Sequence, residues 1–180
     1  MHMKQTVTAI EVPGNSEISR HLPGAHFHDC YELAIESATP SALEIYLAIV
    51  SRTPAWFNSL MAVRNRAVPR VGLKNLGHLG AINPSKPASA YRVGDRVGIF
   101  SVLLLTDKEV IFGDSDKHLN VKVSVCKLSD GDRKSVAVST VVHIHNALGR
   151  LYMLVVAPVH KRIVPAMLSR APPALRDRAA

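Results

Sequence analysis

The chain reads as one α+β domain in which a curved antiparallel sheet wraps around a long C-terminal helix. Three observations predict this. Helical spacing of apolar residues is confined to two places, residues 41–70 and the stretch after Pro158. A period of two governs Phe27–Ile35 and most of Val97–Ile144. Strand patterns clustered apart from helical ones separate such a fold from alternating βαβ chains.

The elements follow in order. Residues 1–25 carry Pro13, Gly14, Pro23 and Gly24 and read as a surface arm. Phe27–Ile35 alternates well enough for a strand. Ser41-Ala42-Leu43-Glu44 is a capping box, in which the Ser hydroxyl and the Glu carboxylate satisfy orphan amides at a helix start. Leu43, Tyr46, Leu47 and Val50 continue that helix. Thr53-Pro54 opens a second one, with Trp56, Leu60 and Val63 along one face, ended by Pro69 and Gly72. Residues 73–96 hold Gly77, Gly80, Pro84, Pro87 and Gly94 without periodicity and read as a long loop.

Val97–Leu105 is then an apolar run of strand length, with Val110–Phe112 as its partner across Thr106-Asp107-Lys108. Leu119, Val121, Val123 and Val125 alternate with polar neighbours, which gives one dry face. Asp130-Gly131 marks a hairpin turn. Val136, Val138, Thr140, Val142 and Ile144 face one way, and Ala137, Ser139, Val141, His143 and His145 the other. Leu151–Val156 is expected as a last strand. Pro158 is expected to open a helix bearing Val159, Ile163, Met167 and Leu168, kinked at Pro165. The expected organisation is a core over about 26–171 and a frayed tail over 172–180. A sheet curled around one helix leaves a cavity between them.

Composition narrows the function classes. Hydrophobic residues make up 47% and charged residues 20%, which excludes a disordered chain. The uninterrupted apolar runs are far shorter than the ~18 residues a membrane span needs. No secretory h-region follows Met1-His2-Met3-Lys4. Two cysteines fit a reducing cytoplasm. The net charge of +8 is concentrated in residues 61–100, which hold seven bases against one acid, and in the last thirty residues. A basic stretch can dock on an anionic partner. With 5% aromatic residues and no recognisable nucleic-acid motif, no specific nucleic acid is expected.

Several motifs agree in order with one bacterial family: Trp56…Leu60-Met61…Arg64-Asn65-Arg66, Gly72-Leu73-Lys74, Gly113-Asp114-Ser115-Asp116-Lys117-His118-Leu119 and His145-Asn146-Ala147-Leu148-Gly149-Arg150-Leu151-Tyr152. Ala157-Pro158-Val159-His160-Lys161-Arg162 and Val164-Pro165…Leu168 continue the pattern. On these residues the chain, from about His26 to Arg170, resembles the domain-of-unknown-function family 2867. The resemblance implies a helix-grip fold similar to START-related and polyketide-cyclase-like proteins. Proteins of that kind commonly hold an apolar or amphipathic small molecule between the sheet and the last helix. Some relatives are joined to a dinucleotide-binding reductase domain. Here Gly72, Gly77 and Gly80 lack the G-x-G-x-x-G spacing, and no cofactor is expected. Asn120 stands where relatives often have an acid, which weakens any mechanism needing a carboxylate there. Val159 stands where they often have Phe, which reshapes the cavity floor.

The chemistry-bearing residues give three alternatives. The first is a binding site lined by Trp56, Arg64, Val102, Leu104, Val121, Val123, Val142, Arg150, Met153, Ile163 and Met167, with Arg64 and Arg150 able to clamp an anion. The second is an enzyme of the cyclase, isomerase or hydrolase type. It would use Asp116, His118 and His160 as an acid–base set, since histidine titrates near neutrality. The third is a module whose basic surface binds an anionic partner. His26-x-His28 and His143-x-His145 each place two rings about 6.6–6.8 Å apart on one strand face. With Asp116-x-His118 they invite a metal site. His118, His143 and His145 are expected to face away from the core, so none is assigned. Cys30 and Cys126 have no adjacent base and read as structural thiols.

Overall fold

The computed structural model describes residues 6–35, 40–53, 55–67, 82–83, 85–131 and 133–172. Seven strands form one antiparallel curved sheet: β1 (Val7–Ala9), β2 (Phe27–Ala34), β3 (Arg96–Val97), β4 (Phe100–Leu105), β5 (Glu109–Ser115), β6 (Leu119–Asp130) and β7 (Arg133–Ile144). Their order across the sheet is β1-β2-β7-β6-β5-β4-β3. Three α-helices accompany it: α1 (Ala42–Val50), α2 (Ala55–Ala67) and α3 (Ala147–Leu168). This is the α+β arrangement, one antiparallel sheet with a long C-terminal helix, that the alternating strands and the terminal helix predict.

The two sheet faces carry different covers. On the inner face, Tyr31, Leu33, Val102, Val110, Phe112, Val125, Val136 and Val138 form one buried cluster with α1 and the end of α3. On the outer face, Cys30, Ile111, Ala137 and Val141 pack against Val12 and Ile18. The parity expected for β7 is the one observed. The N-terminal arm is therefore not a loose surface segment. It adds strand β1 to the sheet edge and lays a short 3₁₀ turn, Glu17–His21, against β6 and β7. The chain buries it because Ile18 is fully excluded from water.

A buried carboxylate holds that arm. Glu109, on β5 and 4% exposed, accepts Glu17 N at 2.6 Å, Ile18 N at 3.2 Å and Ser124 Oγ at 2.6 Å. It caps the 3₁₀ turn from a distant strand, satisfying amides that have no partner within the turn. The α1 capping box forms as predicted: Ser41 Oγ accepts Glu44 N at 3.3 Å, and Glu44 Oε2 accepts Ser41 N at 2.7 Å. Those bonds hold the Glu44 carboxyl below its usual range.

Three expected elements differ. Val97–Leu105 is not one strand, because Gly98, at φ 59°, turns the chain between β3 and β4. A register shift between Val102 and Leu104 then rotates β4, so Val102 pairs with Phe112 and Leu104 with Ile111. An extra residue in one strand flips the faces beyond it. Leu151–Val156 is helical, not a strand, and α3 runs unbroken from Ala147 through Pro158 and Pro165. A short apolar run cannot be assigned by periodicity alone. Here Asn146 decides it, since its side chain accepts Gly149 N at 3.1 Å and starts the helix. By length and composition α3 could cross a membrane, yet Met153, Ile163, Met167 and Leu168 are buried in this fold.

The two helical prolines are accommodated differently. Each removes a donor to the carbonyl four residues back. Pro158 frees the carbonyl of Leu154, a residue 74% exposed, on the solvent side where a freed carbonyl is tolerated. Pro165 frees the carbonyl of Lys161, and Tyr31 Oη on β2 donates to it at 3.4 Å. The proline thus becomes an attachment point between helix and sheet.

Replacing Glu109 with Ala strands two arm amides and the Ser124 hydroxyl. The expected loss is roughly 3 kcal/mol in urea unfolding, since each buried unpaired group costs about 1–3 kcal/mol. A loss under about 0.5 kcal/mol would show that the arm is held by Ile18 and Val12 alone.

Candidate functional site

The strand register places five residues in one lateral row on the inner face. Asp29 pairs with Thr140, Thr140 with Val123, Val123 with Phe112, and Phe112 with Val102. Neighbouring strands lie about 4.8 Å apart, so Asp29 and Phe112 are separated by roughly 14 Å. α1 covers one end of the row, where Tyr46 stacks on Phe112 with ring centroids 4.0 Å apart. α3 covers the other end.

There His160 meets the sheet. Its Nδ1 lies 3.0 Å from Asp29 Oδ2, and its Nε2 lies 3.4 Å from Thr140 Oγ1. Phe27 presents its edge to the same ring, with centroids 5.8 Å apart and planes at 89°. The Asp29 side chain is 9% exposed and that of His160 24%. Asp29 Oδ1 is buried and has no hydrogen-bond partner among the described residues. With Nδ1 as donor to the carboxylate, the neutral ring keeps Nε2 as an acceptor.

The inward stripe of α3 runs through Gly149, Met153, Val156, His160, Ile163 and Met167, at helical spacing. Its ends are buried, but Val156 and His160 in the middle are only half-buried. The sheet shows the same gap. Val125 is 1% exposed, while Val121 and Val123, on the same face of the same central strand, are half-buried. A central strand on a covered face is ordinarily dry. Among the described residues, the cover between α1 and α3 is therefore incomplete over Val121, Val123 and Phe27.

The predicted site residues separate into groups. Val121, Val123, Val142 and Met153 lie on the inner face or the inward stripe around the gap. Val102, Ile163 and Met167 belong to the close-packed inner cluster. Leu104 is on the outer face, carried there by the β4 register shift. It borders a shallow depression of about 270 Å³ with Glu17, Arg20 and Ile111. Trp56, 47% exposed, and Arg150 lie at the surface. The side chain of Arg64 lies outside the described residues.

The expected set of Asp116, His118 and His160 does not assemble. Asp116 Oδ1 accepts His118 N at 2.7 Å and Leu119 N at 3.0 Å, closing the β5–β6 turn. His118 is 7% exposed rather than solvent-facing, and its Nδ1 lies 3.0–3.1 Å from the Asn146 amide that caps α3. His160 follows Asn146 by 14 residues, which is roughly 21 Å along a helix rising about 1.5 Å per residue. Asp116 and His118 therefore position the helix start, and His160 works with a different acid.

Asp29 and Thr140 were not anticipated, although the sequence carried a signal for both. Asp29 shares its parity with Phe27, Tyr31 and Leu33, and Thr140 lies between Val138 and Val142. A polar residue at an apolar-parity position is the mark of a polar group built into a dry face.

The other candidates are structural. Cys30 and Cys126 are free and buried, and burial pushes their thiols up to about 11 and about 12. Such thiols carry no thiolate for chemistry near neutrality. Among the described residues no three His, Cys, Asp or Glu side chains are placed to share a metal ion.

Comparison with known proteins follows from this geometry. No curated protein matches the chain. Among solved structures, CalU16 from Micromonospora echinospora is similar over 92% of this chain and 85% of that one, at 9% identity and a TM-score of 0.31. The sequence pattern of a family described as "Protein of unknown function (DUF2867)" matches residues 21–167, which include strands β2 to β7 and nearly all of α3. The chain therefore belongs to the DUF2867 family.

Proposed function

We propose that this protein binds a small apolar or amphipathic molecule between α3 and the inner sheet face. The observation that carries the reading is the interrupted burial of two stretches, Val156–His160 on the helix and Val121–Val123 on the sheet, brought together where His160 meets Thr140, the register partner of Val123. Small-molecule sites are typically apolar, with a few placed polar groups. Here Phe27, Val121, Val123, Val142 and Met153 supply the apolar wall, and Asp29, Thr140 and His160 the polar end. The two free buried thiols support a reducing, cytoplasmic setting. Arg150 and Trp56 are exposed at the surface and have no part in this reading.

The Asp29–His160 pair favours a second reading, acid–base catalysis on the bound molecule. A carboxylate on Nδ1 fixes the ring and its tautomer, leaving Nε2 to take or return a proton. Thr140 is 3% exposed, so it orients the ring rather than attacking a substrate.

Two measurements test these readings. The wild-type protein should raise the fluorescence of N-phenyl-1-naphthylamine, and Val123→Phe, which fills the gap, should weaken that binding about tenfold without lowering Tm by more than a few degrees. Absence of reporter binding, or a Val123→Phe protein that binds as well, contradicts the binding reading. For catalysis the probe is 5-nitrobenzisoxazole. A base takes its C3 proton, the N–O bond breaks, and the electron pair leaves as a phenolate beside a new nitrile. Acceleration by the wild type should fall at least tenfold in His160→Gln. Equal rates remove His160 as a base.

A further inference from the structure

We propose that the polar end of the bound molecule is a hydrogen-bond donor, a hydroxyl or an ammonium, and not a carboxylate. This deepens the binding reading above and rests on it. Asp29 Oδ2 is engaged by His160 Nδ1 at 3.0 Å. Asp29 Oδ1 is buried with no partner among the described residues. A buried carboxylate oxygen left unpaired is expensive, and a donor entering beside it recovers that cost. His160 Nε2 is the second acceptor, because the 3.4 Å approach of Thr140 Oγ1 is too long to saturate it. Two acceptors thus lie at the Asp29–His160 pair, next to the Thr140–Val123 end of the apolar wall, with the Thr140 hydroxyl as the neighbouring weak donor.

Charge gives the same answer. With a neutral ring the pair carries one negative charge, and with a protonated ring it carries none. In neither state is it positive, so a carboxylate would add an uncompensated negative charge to a partly dry site. The competing cation is Lys161, whose Nζ lies 5.8 Å from the Phe27 ring centroid. Lys161 is exposed, where water screens its attraction for an anion.

Octylamine, 1-octanol and octanoate test this by displacing N-phenyl-1-naphthylamine at pH 7.5, each below its aggregation concentration. The three share one chain and differ only at the polar end. Octylamine and 1-octanol should displace the reporter at concentrations at least tenfold lower than octanoate. Long-range attraction to a chain of net charge +8 works against this order, since it favours the anion. Asp29→Asn should remove most of the advantage of octylamine while 1-octanol still competes. His160→Gln, of similar size, should weaken both donors and serves if Asp29→Asn unfolds. Octanoate binding as tightly as the donors overturns the inference and leaves the binding reading standing. The same holds for a reporter that none of the three displaces. A reporter that never binds overturns the binding reading and this inference with it.

Discussion

The close approach of α3 to the start of β6 constrains everything downstream of it. A Cβ added at Gly149 would lie 2.5 Å from the His118 carbonyl oxygen and 2.9 Å from Ile144 Cγ2. That carbonyl cannot retreat, because it accepts His145 N at 2.8 Å. Asn146 starts the helix at this point, tied to Lys117 O at 2.9 Å and lying against His118. The helix axis and its rotation are thereby set within one turn of its beginning. His160, eleven residues beyond Gly149 and so three turns on, arrives over Asp29 because the helical period brings it back to the same face.

Two further attachments hold that face to the sheet. The Lys161 carbonyl, released by Pro165, takes the Tyr31 hydroxyl, and Asp29 takes His160. Both partners come from β2. The far end of α3 sinks into the inner cluster through Met167 and Leu168. A helix fixed at its start, at β2 and at its end bridges the middle of the sheet without covering it. The half-buried Val121 and Val123 follow from this geometry. So does the placement of the polar pair at the edge of the gap rather than in the packed core.

Much of this was legible in the residues. The capping box at Ser41, the parity of β6 and β7 and the terminal helix from Pro158 onward follow from local rules that tertiary structure did not override. The polar pair was half visible: His160 stood out as a titratable group, and its true partner was hidden. Asp29 looked like a polar member of an alternating strand until the register put it opposite Thr140. Asp116 and His118 were more conspicuous because they are close in sequence, yet that closeness serves a turn. The Leu151–Val156 run misled for a physical reason, since β-branched and aliphatic residues suit a strand as well as a buried helix. Leu104 was misplaced because a bulge leaves no mark in an apolar run.

The claim that α3 delivers His160 to Asp29 as an oriented, singly engaged ring is tested most directly by nitrogen-detected NMR of the His160 imidazole above its titration midpoint. The account predicts the tautomer with the proton on Nδ1 and a bare Nε2, converted toward the ordinary mixture by Asp29→Asn. A ring protonated on Nε2, or one indifferent to Asp29→Asn, would contradict it.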